Sequence, residues 1–123
     1  MKPKSEAELI RFAAVEIMGY IWVESLKMYI PHENSSALID WSPLSDPGAY
    51  QLELIEAALP KEIEVRYERQ YWDDSIMVKV TIFKHDHSLL SQHHIMNPTT
   101  AQIRLCKLTC FVEGFEKYLE VSR

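Results

Sequence analysis

Long apolar runs, glycine-rich phosphate loops and widely spaced cysteine pairs are all missing from this 123-residue chain, and each absence narrows what it can be. Charge interrupts the only candidate apolar stretch near the start at Glu6-Ala7-Glu8, so neither a secretory leader core nor a membrane-spanning helix is predicted, and a cytoplasmic protein is expected. The two cysteines, Cys106 and Cys110, are four apart in a segment that reads as helix. A rigid helical backbone holds such a pair in poor geometry for a mutual disulfide, which predicts two free thiols in a reducing compartment. G-x-G-x-x-G, Walker A, G-x-S-x-G and H-E-x-x-H are all lacking, which removes the common nucleotide, hydrolase and zinc-protease signatures. Basic charge is also short. Lys and Arg number 13 against 18 Asp and Glu, a formal charge of −5 with no single-sign block, so non-specific binding to nucleic acid is not expected.

What is present is core-forming material, 47% apolar and 11% aromatic, enough for one hydrophobic core; two cores would each fall near the lower size limit for unaided folding. A single domain over residues 1–123 is expected. Ser5-Glu6-Ala7-Glu8 reads as a capping box that starts a helix running to Met18. Ile10, Ala13, Ala14 and Ile17 share its apolar face, widened by Leu9 and Phe12, and Gly19 is placed to close it in the left-handed conformation. Tyr20-Ile21-Trp22-Val23 reads as a short strand continued through Met28-Tyr29-Ile30, and residues 31–40 read as a surface loop or hairpin tip. Asp46 before Pro47 is an N-cap signal for a second helix that buries Leu52, Ile55 and Leu59, faces Glu53 and Glu56 to water, and ends at Pro60.

From Glu62 the apolar period changes to two. Ile63, Val65 and Tyr67 alternate with charged residues, Asp73-Asp74 marks a turn, and Ile76, Val78, Val80 and Ile82 alternate on the return, a β-hairpin pattern. A weaker strand is read over Gln92 to Met96. Ala101, Leu105, Leu108, Val112, Phe115 and Leu119 then recur at steps of four and three along a last helix, with Asn97 as its expected cap. The order predicts an α+β fold, an α/β/α-type layered sandwich of three helices on a small, mainly antiparallel sheet.

Two runs, residues 12–20 (Phe-Ala-Ala-Val-Glu-Ile-Met-Gly-Tyr) and 41–46 (Trp-Ser-Pro-Leu-Ser-Asp), together resemble the phage ABA sandwich domain family of small tailed-phage and prophage proteins. Tyr20 stands where that family usually has Trp, and Ala101 to Leu108 resembles its later helix, with Cys106 and Cys110 in small-residue positions. The resemblance implies an α/β/α sandwich and a phage or prophage origin, and it brings no catalytic set with it. Gly19, Trp41, Pro43 and Asp46 also have a purely structural reading as caps and turn formers.

Four constellations could carry chemistry. His85, His87, His93 and His94 lie within ten residues; on paired strands, imidazoles two apart share a face, so they are candidate metal ligands, with solvated turn residues as the alternative. Arg66, Arg69, Tyr71 and Trp72 are of the types that dominate interface energy and are candidate partner-binding residues. Cys106 could be a nucleophile if it sat near a helix start beside a histidine, but its position two turns into a helix favours a small buried residue; Asp73 and Asp74 could bind a divalent cation or serve acid–base roles, but read first as turn formers. The leading expectation is a non-enzymatic phage or prophage protein with no cofactor, acting in the host cytoplasm by binding a host or phage protein, host defence among the targets. A small metal-dependent enzyme using the histidines, and a module binding a small molecule or nucleotide, are the alternatives.

Overall fold

The computed structural model describes residues 4–39, 41, 43–44 and 49–121. α1 (Glu6–Phe12) begins at the expected capping box: Glu8 N–H donates to Ser5 Oγ at 3.2 Å and Ser5 N–H to Glu8 Oε1 at 3.0 Å. The helix does not stay regular. Over Ala13–Ile17 it widens into a π-helical segment, with Met18 N–H reaching back five residues to the Ala13 carbonyl, and Tyr20 N–H bonds the Ala14 carbonyl across Gly19 at φ +76°.

The segment expected as one strand is two. β1 (Ile21–Val23) and β2 (Met28–Ile30) form an antiparallel hairpin in the register Ile21–Ile30, Trp22–Tyr29, Val23–Met28. Glu24-Ser25-Leu26-Lys27 makes the turn, with Lys27 at φ +52°, and Glu24 ties it by accepting from both Lys27 and the Trp22 indole. The chain then returns to bond Tyr29 through Ile39 before α2 (Ala49–Ala58). In α2, Leu52, Ile55 and Leu59 at its end are buried, as their spacing predicts. The Asp46-Pro47 start signal lies outside the described residues.

β3 (Ile63–Trp72), β4 (Ser75–Lys84) and β5 (Leu89–Met96) form the main antiparallel sheet in the order β3-β4-β5. The β3–β4 turn is the two residues Asp73-Asp74, Asp73 adopting φ +44°. β5 is longer than its alternation predicts because Phe83 pairs with Leu89 while Ile82 pairs with Ser91, leaving Leu90 as an extra residue. That bulge breaks the period of two and turns Leu90 and Ser91, consecutive in sequence, both into buried positions.

α3 (Thr100–Val121) is the centre of the molecule. Its cap is Thr99 instead of Asn97: Gln102 N–H donates to Thr99 Oγ1 and Thr99 N–H to Gln102 Oε1, a second capping box. Asn97 instead closes the sheet end, at φ +48°, by accepting from Ile76 N–H and donating its own N–H back to the Ile76 carbonyl. One side of α3 lies on β4 and β5, where Cys110 Sγ sits 3.2 Å from Ser91 Oγ and 3.4 Å from the Val80 carbonyl. Its other side meets α1, with Phe12 and Phe115 edge to face at 6.2 Å, and α2. The layers therefore run sheet, α3, then α1 with α2, and the β1–β2 hairpin rests on the π-helical segment. Leu108, Phe111, Val112, Ile55, Val80 and Ile82 form the fully buried centre of one core shared by these layers.

Candidate functional site

Strand geometry separates the histidines. His93 shares a face with Ile95 toward α3, where it bonds Glu113, while His94 projects on the opposite face beside Lys79. His85 follows the end of β4, 3.5 Å from Glu64, and His87 occupies the tight turn at φ +70°, stacked on Phe83 at 6.4 Å. The antiparallel return that could have gathered them places each against a different neighbour. Among the described residues no three His, Cys, Asp or Glu side chains come together in a way that could hold a metal ion.

The same alternation divides the arginines and aromatics. Arg66 and Trp72 lie on the sheet face away from α3, and Arg69 and Tyr71 lie on the face toward it. Arg66 is spoken for: its guanidinium covers the Phe83 ring at 5.0 Å, with His87 on the same ring, so Phe83 is buried on a face that is otherwise open. Lys107 of α3 lies 4.6 Å over Tyr67, whose hydroxyl donates to Glu56 of α2 at 2.7 Å, which seats the middle of β3. Beyond that seat the hairpin end projects. Tyr71 is 68% exposed and Trp72 51% exposed, on opposite faces, with Met77 and the exposed Met96 paired beside them.

Both thiols are quiet. Burial pushes Cys110 up to about 12, outweighing the lowering by the Ser91 hydrogen bond, and burial also raises Cys106. A thiol that stays protonated is a poor nucleophile, so α3 uses these residues as small fillers against the sheet.

Sequence reasoning missed a groove of about 600 Å³ between α1, α3 and the bulge of β5. Leu9, Leu90, Leu105 and Thr109 line its apolar part, and Glu6, Glu113, Glu116 and Glu120 stand on its rim with Lys4 and Lys117. Two rim cations are paired: Lys4 with Glu116 at 3.4 Å and Lys117 with Glu120 at 4.0 Å. No signal in the local pattern marks this groove, because Leu90 enters it only through the bulge. A second unanticipated feature is the aromatic nest of Tyr20, Trp22, Tyr29 and Trp41, with Arg11 4.3 Å over Trp22. Tyr20 meets Trp41 edge to face at 5.9 Å, so residues far apart in the chain close the nest. Desolvation raises the Tyr29 phenol despite the nearby Arg11, consistent with a packing role for the nest.

No family model, curated protein or solved structure matches the chain, so its function is argued from its own geometry. No helix among the described residues is long and apolar enough to cross a membrane.

Proposed function

We propose that this chain acts by binding a protein partner, with the hairpin end of the main sheet as the contact surface. The observation that carries the reading is the pair Tyr71 and Trp72, two large aromatic side chains left exposed where β3 and β4 run past the seat made by Lys107 and Glu56. Trp and Tyr are the residues whose burial most often dominates interface energy, and strands held by a ten-pair ladder present them at little entropic cost. The divergence of the histidines and the protonated, packed thiols support a binding role over catalysis by either group. The setting of a phage or prophage accessory protein in a host cytoplasm, with a component of host defence or regulation as the partner, rests on the resemblance of residues 12–20 and 41–46 alone.

Affinity capture from an infected or lysogenic host, read by mass spectrometry, tests this. The wild-type chain retains a specific protein, and the Tyr71→Ala/Trp72→Ala double variant, folded to the same extent by circular dichroism, loses it. Equal capture by the double variant would remove the hairpin end from the site, and substrate turnover without any captured protein would overturn the binding reading.

A further inference from the structure

The two free edges of the main sheet are built differently. β3 carries Glu64, Arg66, Glu68 and Arg69 within its ten residues, whereas β5, over eight residues, carries no Asp, Glu, Lys, Arg or Pro. Charge and proline are the devices by which native sheets keep an edge from pairing with another chain, so β3 is guarded and β5 is open. The bulge at Leu90 blunts only the beginning of β5 and leaves Gln92 to Met96 in regular register.

Backbone parity shows which groups that edge offers. Asn97 N–H donates to the Ile76 carbonyl at 2.7 Å, and in an antiparallel ladder the bonded positions alternate, so Ile95 and His93 face β4 with their peptide groups. The N–H and C=O groups of Gln92, His94 and Met96 therefore point away from the sheet, and among the described residues no strand pairs with them. Alongside lies the flank of α3, where Gln102, Leu105, Cys106 and Thr109 border a hollow of about 310 Å³ with His93 and Ile95. Leu105, Cys106 and Thr109 are only half-buried.

We propose that β5 is a self-association edge: two copies pair β5 to β5, antiparallel about His94, into a continuous six-stranded sheet. In that register Gln92 of one copy lies opposite Met96 of the other, and no carboxylate or ammonium faces its like along the edge. The adjoining flanks of α3, uncharged and half-buried at Leu105, Cys106 and Thr109, approach each other over the joined strands. They supply area that a strand ladder alone lacks against the roughly 800 Å² per copy buried by a stable interface. The pairing is also closed. It uses the unguarded edge of each copy and leaves charged β3 at both outer edges, so assembly stops at a two-fold dimer and does not grow into a filament. The hairpin ends stay free at the two sides of the joined sheet, so this inference stands or falls separately from the partner-binding reading.

Light scattering on the purified full chain over increasing concentration tests it, together with hydrogen exchange. The expected mass rises toward twice 14.4 kDa, and the amides of Gln92, His94 and Met96 exchange slowly in the dimer. Gln92→Lys/His94→Lys places ammonium groups across the joint and weakens association by roughly tenfold or more. In that variant the same amides exchange freely, while the guarded-edge variant Glu64→Lys and the hairpin-end variant Trp72→Ala leave the mass unchanged. A monomer at every concentration overturns the proposal. So does a dimer in which those three amides exchange as fast as exposed ones, and so does protection of the edge in a monomer by an added extended peptide, which would give β5 a different occupant. The exchange measurement needs no variant and decides the matter even if the lysine pair disturbs folding.

Discussion

Gly114→Ala is the substitution whose outcome the packing of α3 determines most directly. In an exposed helix the change is favourable by about 1 kcal/mol, because Ala loses less conformational entropy on folding than Gly. At this position a β-carbon would stand 2.9 Å from Cγ2 of Ile82 and 3.2 Å from both its Cβ and Cδ1. Ile82 is fully buried in β4, and its γ-branch is fixed on a stiff β-branched side chain, so the strand and helix must separate by several tenths of an ångström. Overpacking of this kind costs about 1–3 kcal/mol, which exceeds the gain in propensity and leaves a net loss of about 1 kcal/mol. Urea unfolding measures it as a lower midpoint at constant slope. The companion variant Ile82→Ala removes the obstructing methyl groups, and in that background Gly114→Ala is expected to stabilise. A Gly114→Ala protein more stable than wild type, or one equally destabilised with and without Ile82, would refute the argument that α3 lies this close because of Gly114.

Other expectations can be checked with the same unfolding assay and simple chemistry. Gly19→Ala meets no steric obstacle, yet it forces a β-carbon into φ +76° and should cost about 1 kcal/mol, with Gly19→Asn costing less. Thr99→Ala removes the hydroxyl that accepts from Gln102 N–H and should cost about 1 kcal/mol, whereas a cap at Asn97 would leave it neutral. Cys110 should resist thiol reagents in the native state and react fully after unfolding. Because its folded pKa, about 12, lies above the ordinary value of 9.0, the folded state holds its proton longer, so stability is complete below pH 9 and declines from there toward pH 12. Cys110→Ala should flatten that alkaline decline in melting temperature, though Tyr67, raised by desolvation and by Glu56, retains part of it.

Local chemistry was readable where it involves neighbours in sequence. Ser5 and Glu8 cap α1, Gly19 closes the helical run, Asp73-Asp74 turns the hairpin, and Leu52, Ile55 and Leu59 are the buried line of α2. The Thr99–Gln102 cap is equally legible in the sequence, but Asn97 before Pro98 carries a competing cap signal. The candidate site was less legible. Period-two alternation already assigns His93 and His94 to opposite faces, and Arg66 and Arg69 likewise, so those clusters in sequence were never clusters on one surface.

By itself the sequence determined the elements, their caps and the alternating faces of its strands, because each depends on backbone geometry and side chains a few residues apart. Tertiary structure alone decided that α3 would be covered on both sides, that Leu90 would bulge inward, that Tyr71 and Trp72 would be left exposed, and that β3 and β5 would be the two edges of the main sheet. Those outcomes depend on which elements meet and how closely, as Gly114 against Ile82 shows, and such contacts between segments far apart in the chain leave no mark in local periodicity.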